Sequence, residues 1–105
     1  MNSTDWDHVI MNRIFSEISH ERWQQISMGY TPEHDDAEYG GQLAIAAACY
    51  ATPPDERVAI VKSFWPWEEF SWKPSKTDRR KELIKAAALI VAEIERLDRA
   101  AAKSS

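Results

Sequence analysis

The stretch LIKAAALIVAEIERL, residues 83–97, decides the fold class, because its apolar residues recur every three or four positions. That period is typical of an amphipathic α-helix, and most of the intervening residues also favour the helical state. Ser75 is a candidate start for this helix, with Asp78 at the capping-box position. The tail from residue 101 is expected to fray. The pattern predicts a long final helix with an inner stripe formed by Leu83, Ala87, Ile90, Ile94 and Leu97.

The first half of the chain also predicts helices. Isoleucines four residues apart indicate a helix over about residues 7–28, which should end at Gly29 as a natural C′ residue. Thr31 as N-cap, with Pro32 at the first helical position, suits a short helical turn. The alanine-rich segment over about residues 42–51 predicts a buried helix.

A further short helix is predicted after Thr52 and the prolines that follow it. Its apolar residues Val58, Val61 and Phe64 should face inward. We find no strand-like alternation, internal repeat or flexible linker in the sequence. Residues 1–105 are therefore predicted to form one compact, mainly α domain of three to four helices, with an irregular Trp/Pro-rich loop before the long C-terminal helix.

Composition narrows the classes of function. The net charge is −4, with eight acidic and two basic residues in positions 1–52 but nine acidic and eleven basic residues in positions 53–105. Phosphate contacts dominate DNA affinity, so this balance disfavours general DNA binding while allowing a local cationic site in the second half. The sequence begins with polar and acidic residues and has no long apolar run, so we expect no signal peptide, no membrane partner and a cytoplasmic location. The single Cys49 suits a reducing compartment and is expected to be a small core residue.

Residues 65–74 are dense in aromatic rings and prolines. Proline stiffens the chain and holds the neighbouring indoles in set directions. Such a segment either grips a flat or extended partner or covers the core as a lid, and in both cases at least one of the first two indoles should belong to the core. The motifs are Trp65-Pro66-Trp67 and Trp72-Lys73-Pro74.

Basic residues gather at the start of the final helix, where the helix dipole disfavours cations. Free N–H groups and arginine forks together bind phosphate well, which would explain the placement. Alternatively, Asp78 and Glu82 offset this charge, or the acidic first half of the chain docks against it. The basic residues concerned are Lys73, Lys76, Arg79, Arg80, Lys81 and Lys85.

His34 and Asp35 are the metal candidates, because adjacent imidazole and carboxylate groups can bind a metal or transfer protons. The competing interpretation makes an aspartate the cap of the next turn and His34 a solvated loop residue. We likewise favour a structural interpretation of Trp23, as a core residue with His20 and Glu21 at the surface. The spacing is less specific than His-Glu-x-x-His, so we predict no catalytic residue and no cofactor, and leave enzymatic activity open.

The order His20-Glu21-x-Trp23, Gly29-Tyr30, Asp35-Asp36 and a charged final helix from Asp78-Arg79-Arg80 to Leu83-Ile84 resembles the ryanodine-receptor repeat family. This resemblance covers roughly residues 14–92. Bacterial and phage members of that family are thought to sense nucleotide-like ligands, so the resemblance implies a ligand of that class. In this chain Trp65-Pro66-Trp67 stands where the family has a His-Pro and Pro-Tyr stretch.

The chain as a whole also resembles a group of short phage and prophage proteins. The resemblance rests on Glu21-Arg22, on residues 31–36, on the two Trp/Pro motifs and on residues 83–86 and 93–99. It implies a phage-type accessory role in host-defence evasion or host metabolism, in the host cytoplasm.

These observations lead to one preferred hypothesis and two alternatives. The preferred one is a small binding protein for a nucleotide-like anion, in which indoles stack on the base and cations meet the phosphate. The alternatives are an interaction module that inhibits a host protein through the tryptophan loop, and a metal-dependent phosphohydrolase around His34 and Asp35. The alanine-rich face of the last helix is also compatible with a homo-oligomer. The predicted ligand-binding residues are Trp23, Tyr30, Trp65, Trp67, Trp72, Lys73, Arg79 and Arg80.

Overall fold

Two long helices frame the molecule. The computed structural model describes residues 3–37 and 41–104, and over these ranges the chain forms five α-helices and no β-strand. The helices are α1 (Ser3–Ser27), α2 (Pro32–Ala37), α3 (Gln42–Ala51), α4 (Val58–Phe64) and α5 (Arg79–Ser104). The mainly α fold is confirmed, and so is the irregular segment before a long last helix, which contains one 3-10 turn at Glu69–Ser71. The predicted helical turn at Pro32 is a fifth, short helix.

The end of α1 follows from Gly29. This residue has φ of 114°, a left-handed conformation that favours glycine. The amide of Tyr30 donates to the Gln25 carbonyl at 3.0 Å, and the amide of Gly29 donates to the Ile26 carbonyl at 3.1 Å. This pair of bonds is the Schellman motif, so the predicted stop is confirmed. The turn also places the Tyr30 ring centroid 5.2 Å from that of Trp67.

Side chains cap the starts of α2 and α5. The Thr31 hydroxyl accepts a hydrogen bond from the His34 amide at 3.2 Å, which confirms the predicted cap. At α5 the Asp78 carboxylate accepts from the Lys81 amide at 2.9 Å, and the Ser75 hydroxyl accepts from the Asp78 amide at 3.0 Å. Asp78, rather than Ser75, is therefore the N-cap. The helix continues through residues 101–104, where fraying was expected.

The core lies between α3 and α5. Small side chains dominate both contact faces, so the two helix backbones can approach closely. Cys49 is fully buried, and burial raises the pKa of its thiol, so its predicted place in the core is confirmed. Trp65, Trp67 and Trp72 pack partly buried against the edge of this core. The core cluster comprises Leu43, Ala46, Ala47, Tyr50, Ala86, Leu89 and Ala92.

The prediction of the buried face of α5 was wrong. Four large residues of the expected inner stripe are about half exposed: Leu83 (45%), Ile90 (48%), Ile94 (52%) and Leu97 (52%). The alanine-rich face turns inward instead, where it packs with Ala46 and Ala47 of α3.

Two smaller expectations also differ from the structure. Val58 and Phe64 of α4 are 76% and 62% exposed, because this seven-residue helix lies over the core edge without burying any residue. Helix α1 starts at Ser3, earlier than predicted, and its residues 4–13 are all exposed. No helix in the two described ranges combines the length and the hydropathy needed to cross a membrane.

Candidate functional site

Trp65 is the hub of an aromatic cluster at the end of α3. Its ring centroid lies 5.7 Å from that of Tyr50, 4.9 Å from that of Trp72 and 5.5 Å from that of Trp67. Its indole N–H also donates to the Glu68 carbonyl at 3.1 Å, which pins the following turn of the loop. Pro66 lies between Trp65 and Trp67, whose ring planes meet at 89°. The Trp65 ring therefore extends the core, and the Trp67 ring faces a different part of the molecule.

Trp67 connects this cluster to the turn between α1 and α2. Its ring centroid is 5.2 Å from that of Tyr30 and 5.9 Å from that of His34, and the latter two rings meet edge to face at 5.2 Å. Rings at these distances attract one another beyond the area that they bury. The loop therefore both covers the core and builds a second aromatic group beside it.

A cavity of about 510 Å³ opens between the two aromatic groups. Its walls come from the end of α1, the Gly29 turn, the tryptophan loop and the middle of α5, and they are mainly apolar. This volume lies within the roughly 300–1,000 Å³ typical of small-molecule sites. Its aromatic walls are Tyr30, His34, Tyr50, Trp65, Trp67 and Phe70.

Two buried polar atoms on the lining residues have no hydrogen-bond partner. They are the indole Nε1 of Trp67, which is a donor, and the Oε1 of Gln25, which is an acceptor. Gln25 is only 7% exposed, and its amide nitrogen donates a long bond of 3.4 Å to the Lys85 carbonyl. Leaving such a group unpaired costs about 1–3 kcal/mol. Within the described residues, the third unpaired buried atom, Gln42 Oε1, belongs to a residue that does not line the cavity.

Two lysines and two glutamates complete the cavity wall. Lys85 donates from Nζ to the Lys73 carbonyl at 3.2 Å and lies 5.5 Å from the Tyr50 ring centroid. Burial lowers the pKa of the Lys85 ammonium, while the nearby Glu21 carboxylate opposes that shift. Burial also raises the pKa of the Tyr50 phenol, whose oxygen accepts a bond from the Lys73 amide at 3.2 Å. Glu68 is the second acid on the wall.

The two predicted arginines lie outside this cavity. Arg79 donates to the Tyr50 carbonyl at 2.6 Å and to the Ala51 carbonyl, so it satisfies the end of α3. It also pairs with Glu82 at 3.1 Å. Arg80 pairs with Glu17 of α1. These two arginines therefore meet carbonyls and acids of the protein itself, which is the arrangement that the sequence left open as an alternative.

The predicted indoles divide in a similar way. Trp72 stands behind Trp65, with its ring centroid 4.6 Å from that of Tyr50, and the guanidinium of Arg57 lies 5.1 Å from the Trp72 ring. Trp23 is 68% exposed and borders a separate shallow depression on α1, so it is not the core residue that we expected. Of the eight predicted ligand-binding residues, four line the cavity: Tyr30, Trp65, Trp67 and Lys73.

The two metal candidates belong to a buried ion-pair cluster. Asp35 is fully buried, and Arg22 donates to its Oδ2 at 2.9 Å. The other carboxylate oxygen lies 3.0 Å from Nδ1 of His34. Arg22 also donates to the Tyr30 carbonyl at 3.0 Å and to Glu95 at 3.2 Å, so it ties α1, α2 and α5 together. No group of three or more potential metal ligands occurs within residues 3–37 and 41–104.

Sequence reasoning missed Gln25 and Tyr50 as cavity residues, and it named Lys85 only as one of the basic residues near the start of α5. Gln25 occupies a helical position that looks like ordinary polar surface, and Tyr50 follows an apolar run. Their common wall arises only when α1 crosses α5. No family model, curated protein or solved structure matches the chain.

Proposed function

We propose that the protein binds a nucleotide-like anionic ligand in the aromatic cavity. One observation carries the proposal: two residues that line an aromatic-walled cavity each hold a buried polar atom without a hydrogen-bond partner, a donor on Trp67 and an acceptor on Gln25. A nucleobase edge carries ring acceptors and amino donors, so it can satisfy both atoms once the Trp67 and Gln25 side chains turn them towards the cavity. Stacking of a base on an aromatic side chain adds about 1–3 kcal/mol.

Lys73 and Lys85 are the cations that would meet the phosphate, in place of Arg79 and Arg80. Lysine binds phosphate as a point charge, and Lys73 is exposed beside the half-buried Lys85. Glu21 and Glu68 on the same wall balance these two charges. This balance favours a ligand with one phosphate over a triphosphate.

The resemblance to ryanodine-receptor repeats implies the same ligand class, and the resemblance to short phage proteins implies an accessory role. On this proposal the protein is a phage-type accessory protein that removes or senses a nucleotide signal of the host. The proposed role requires binding and no chemical step.

Calorimetry and thermal shift with mononucleotides, cyclic nucleotides, free nucleosides and inorganic phosphate test the proposal. A ligand at 100 times its Kd stabilises the folded state by about 2.7 kcal/mol, which for a domain of this size raises Tm by about 10 °C or more. A nucleoside that binds as well as its nucleotide would remove the phosphate part of the proposal. A shift below about 1 °C with every compound at millimolar concentration would overturn it.

Trp67→Phe sharpens this test, because it keeps an aromatic ring and deletes the unpaired donor. We expect affinity to fall about tenfold, the effect of losing one hydrogen bond of ~1.4 kcal/mol. Trp23→Phe is the matched control, since that indole lies outside the cavity, and it should leave affinity unchanged. Equal losses in both variants would contradict the assignment of the site.

A second candidate function is docking onto a host protein through the tryptophan loop. It is favoured by Phe70, which is 80% exposed at the 3-10 turn of that loop. Exposed aromatic residues are enriched among binding hot spots. Phe70→Ala should abolish capture of such a partner and leave the melting temperature unchanged, whereas retained capture would exclude the loop as the docking surface.

A further inference from the structure

Lys85 differs from the other lysines of the chain in its surroundings. All the lysines lie in the described ranges, and Lys85 alone has a half-buried side chain. It shares a face of α5 with Leu89 one turn later, and both residues line the aromatic cavity. The amino group itself lies at the cavity wall, because its two neighbours, the Lys73 carbonyl at 3.2 Å and the Tyr50 ring centroid at 5.5 Å, belong to lining residues. The exposed lysines are Lys62, Lys73, Lys76, Lys81 and Lys103.

This position makes the Lys85 amine more nucleophilic than that of an exposed lysine. Burial lowers the pKa of its ammonium, and the charges of Lys81 and Lys73 act in the same direction. The Glu21 and Glu82 carboxylates oppose the shift without cancelling it. An ordinary lysine is almost wholly protonated at neutral pH, whereas a desolvated one exposes a free electron pair for a larger share of the time.

We propose that Lys85 binds an aldehyde carried on a flat aromatic ring as a reversible imine, with the ring packed against the aromatic walls of the cavity. Rings on two sides of the cavity offer such a ligand stacking and edge-to-face contacts. The cavity of about 510 Å³ leaves room for it beside the lysine stem. This inference goes beyond the proposed function, because it adds a covalent bond, although it rests on the same cavity.

Imine formation needs no reagent besides the amine and the aldehyde. The Lys85 nitrogen gives its electron pair to the carbonyl carbon, and the carbonyl oxygen takes up a proton. The nitrogen then loses a proton, the oxygen leaves as water, and a carbon–nitrogen double bond remains. The protons exchange with solvent, which reaches the exposed hydrogen bond between Nζ and the Lys73 carbonyl. Water reverses the same steps, so the ligand is held reversibly.

The surroundings of Nζ also suit the product. A protonated imine keeps one N–H, which can donate to the Lys73 carbonyl as the ammonium does. Its positive charge remains beside the Tyr50 ring, where a cation is attracted by the π-electrons. The Glu21 carboxylate, another group of the cavity wall, favours that charge. The contacts that hold the free side chain therefore persist when the bond forms.

Reductive trapping on the full chain is the first test. The protein is incubated with substoichiometric pyridoxal phosphate, borohydride reduces the imine to a stable secondary amine, and peptide mass spectrometry locates the label. We expect Lys85 to carry more label than the exposed lysines together. Label spread evenly over all the lysines, or concentrated on an exposed one, would overturn the proposal.

Lys85→Arg tests the nucleophile separately from the charge, because a guanidinium stays protonated and forms no imine. We expect this variant to lose the visible absorbance of the imine. Lys62→Arg is the matched control, since Lys62 is exposed on α4 and does not line the cavity, and it should keep that absorbance. Equal absorbance in the two variants would contradict the assignment. Peptide mapping of the wild type does not depend on how either variant folds.

Acetaldehyde tests the part played by the aromatic walls, because it has the same reacting group and no ring. Its label should show a smaller preference for Lys85, and an equal preference with both aldehydes would overturn the aromatic part of the proposal. Titration of the same protein with mononucleotides separates this inference from the proposed function. Nucleotide binding without an imine at Lys85 would overturn the inference alone, whereas an imine without nucleotide binding would support it alone.

Discussion

Buried polar atoms are hydrogen-bonded in the two buried ion-pair clusters, whereas some of those on the wall of the cavity between the clusters are not. In one cluster Arg22 bonds Asp35, Glu95 and the Tyr30 carbonyl. In the other, Glu82 accepts from Arg57 at 2.5 Å and from the Ser75 amide at 3.0 Å, besides its pair with Arg79. Two residues that line the cavity, by contrast, hold a buried donor and a buried acceptor that remain unpaired.

This difference separates the framework of the molecule from its site. The Arg22 cluster holds the turn that carries Tyr30 and His34, and the Glu82 cluster holds the end of α3 that carries Tyr50. Each cluster positions one aromatic wall. Paired polar atoms add rigidity to a buried network, while unpaired ones cost free energy that a bound ligand can recover.

The largest expected effect is on the framework. Glu82→Gln leaves the buried guanidinium of Arg57 without a carboxylate, and we expect the free energy of unfolding to fall by about 3 kcal/mol or more. Urea unfolding followed by circular dichroism measures this loss. Glu56→Gln, at an exposed position, is the control and should change stability by less than about 0.5 kcal/mol. A loss in Glu82→Gln no larger than in the control would mean that the cluster does not support the fold.

Acid should weaken the same cluster. Burial alone would raise the pKa of the Glu82 carboxyl, but bonds from Arg57, Ser75 and Arg79 outweigh it, and the pKa lies below its ordinary value of 4.5. A carboxyl with a lowered folded-state pKa stabilises the protein above the unfolded pKa and loses that contribution as the pH falls through the folded pKa. In wild type, the urea concentration at the midpoint of unfolding should therefore decrease as the pH is lowered below about 4.5. If Glu82→Gln shows an equally steep drop, other carboxyls are responsible.

Gln25→Met should have the opposite signature to Glu82→Gln. It replaces the amide by an apolar group of similar length, which removes both the unpaired acceptor and the long 3.4 Å bond to the Lys85 carbonyl. These two losses oppose each other, so stability should change by less than about 1 kcal/mol. Affinity for the nucleotide should fall about tenfold, because the ligand's donor loses its acceptor. Calorimetry on the folded variant separates these two effects, and unchanged affinity would place the base elsewhere.

The smallest effect concerns the charge of Lys85. Burial lowers the pKa of its ammonium below the ordinary value of 10.5. Lys85 should therefore lose its positive charge at a lower pH than an exposed lysine does. Affinity for a phosphate-bearing ligand should decline as the pH rises through that folded pKa, whereas affinity for the free nucleoside should stay level. Lys85→Gln should remove this pH dependence, and its persistence in the variant would assign the titration to another group.

Local features of the fold are well predicted from the sequence. The bounds Gln42–Ala51 of α3 agree with the alanine-rich segment, and the Gly29 stop and the Thr31 cap occur where their residue types indicate. Each of these features depends on backbone hydrogen bonds within a few residues. Neighbouring residue types therefore contain the necessary information.

The orientation of α5 could not be predicted in this way. Its sequence contains both an alanine-rich face and a leucine/isoleucine stripe, and periodicity alone does not say which face meets α3. In the structure the alanine-rich face packs with Ala46 and Ala47 of α3. The large residues of the other face are left about half exposed.

The amino-acid sequence by itself determined the helical class, the helix stops and the presence of a stiff aromatic segment, because each depends on local backbone preferences and on the period of apolar residues. Only the tertiary structure decided that Gln25, Trp67 and Lys85 share one cavity, that Arg79 and Arg80 pair with the protein, and that the leucine/isoleucine face of α5 is half exposed. Those outcomes depend on distances between residues far apart in the chain, and such distances are set by how closely the helices can pack.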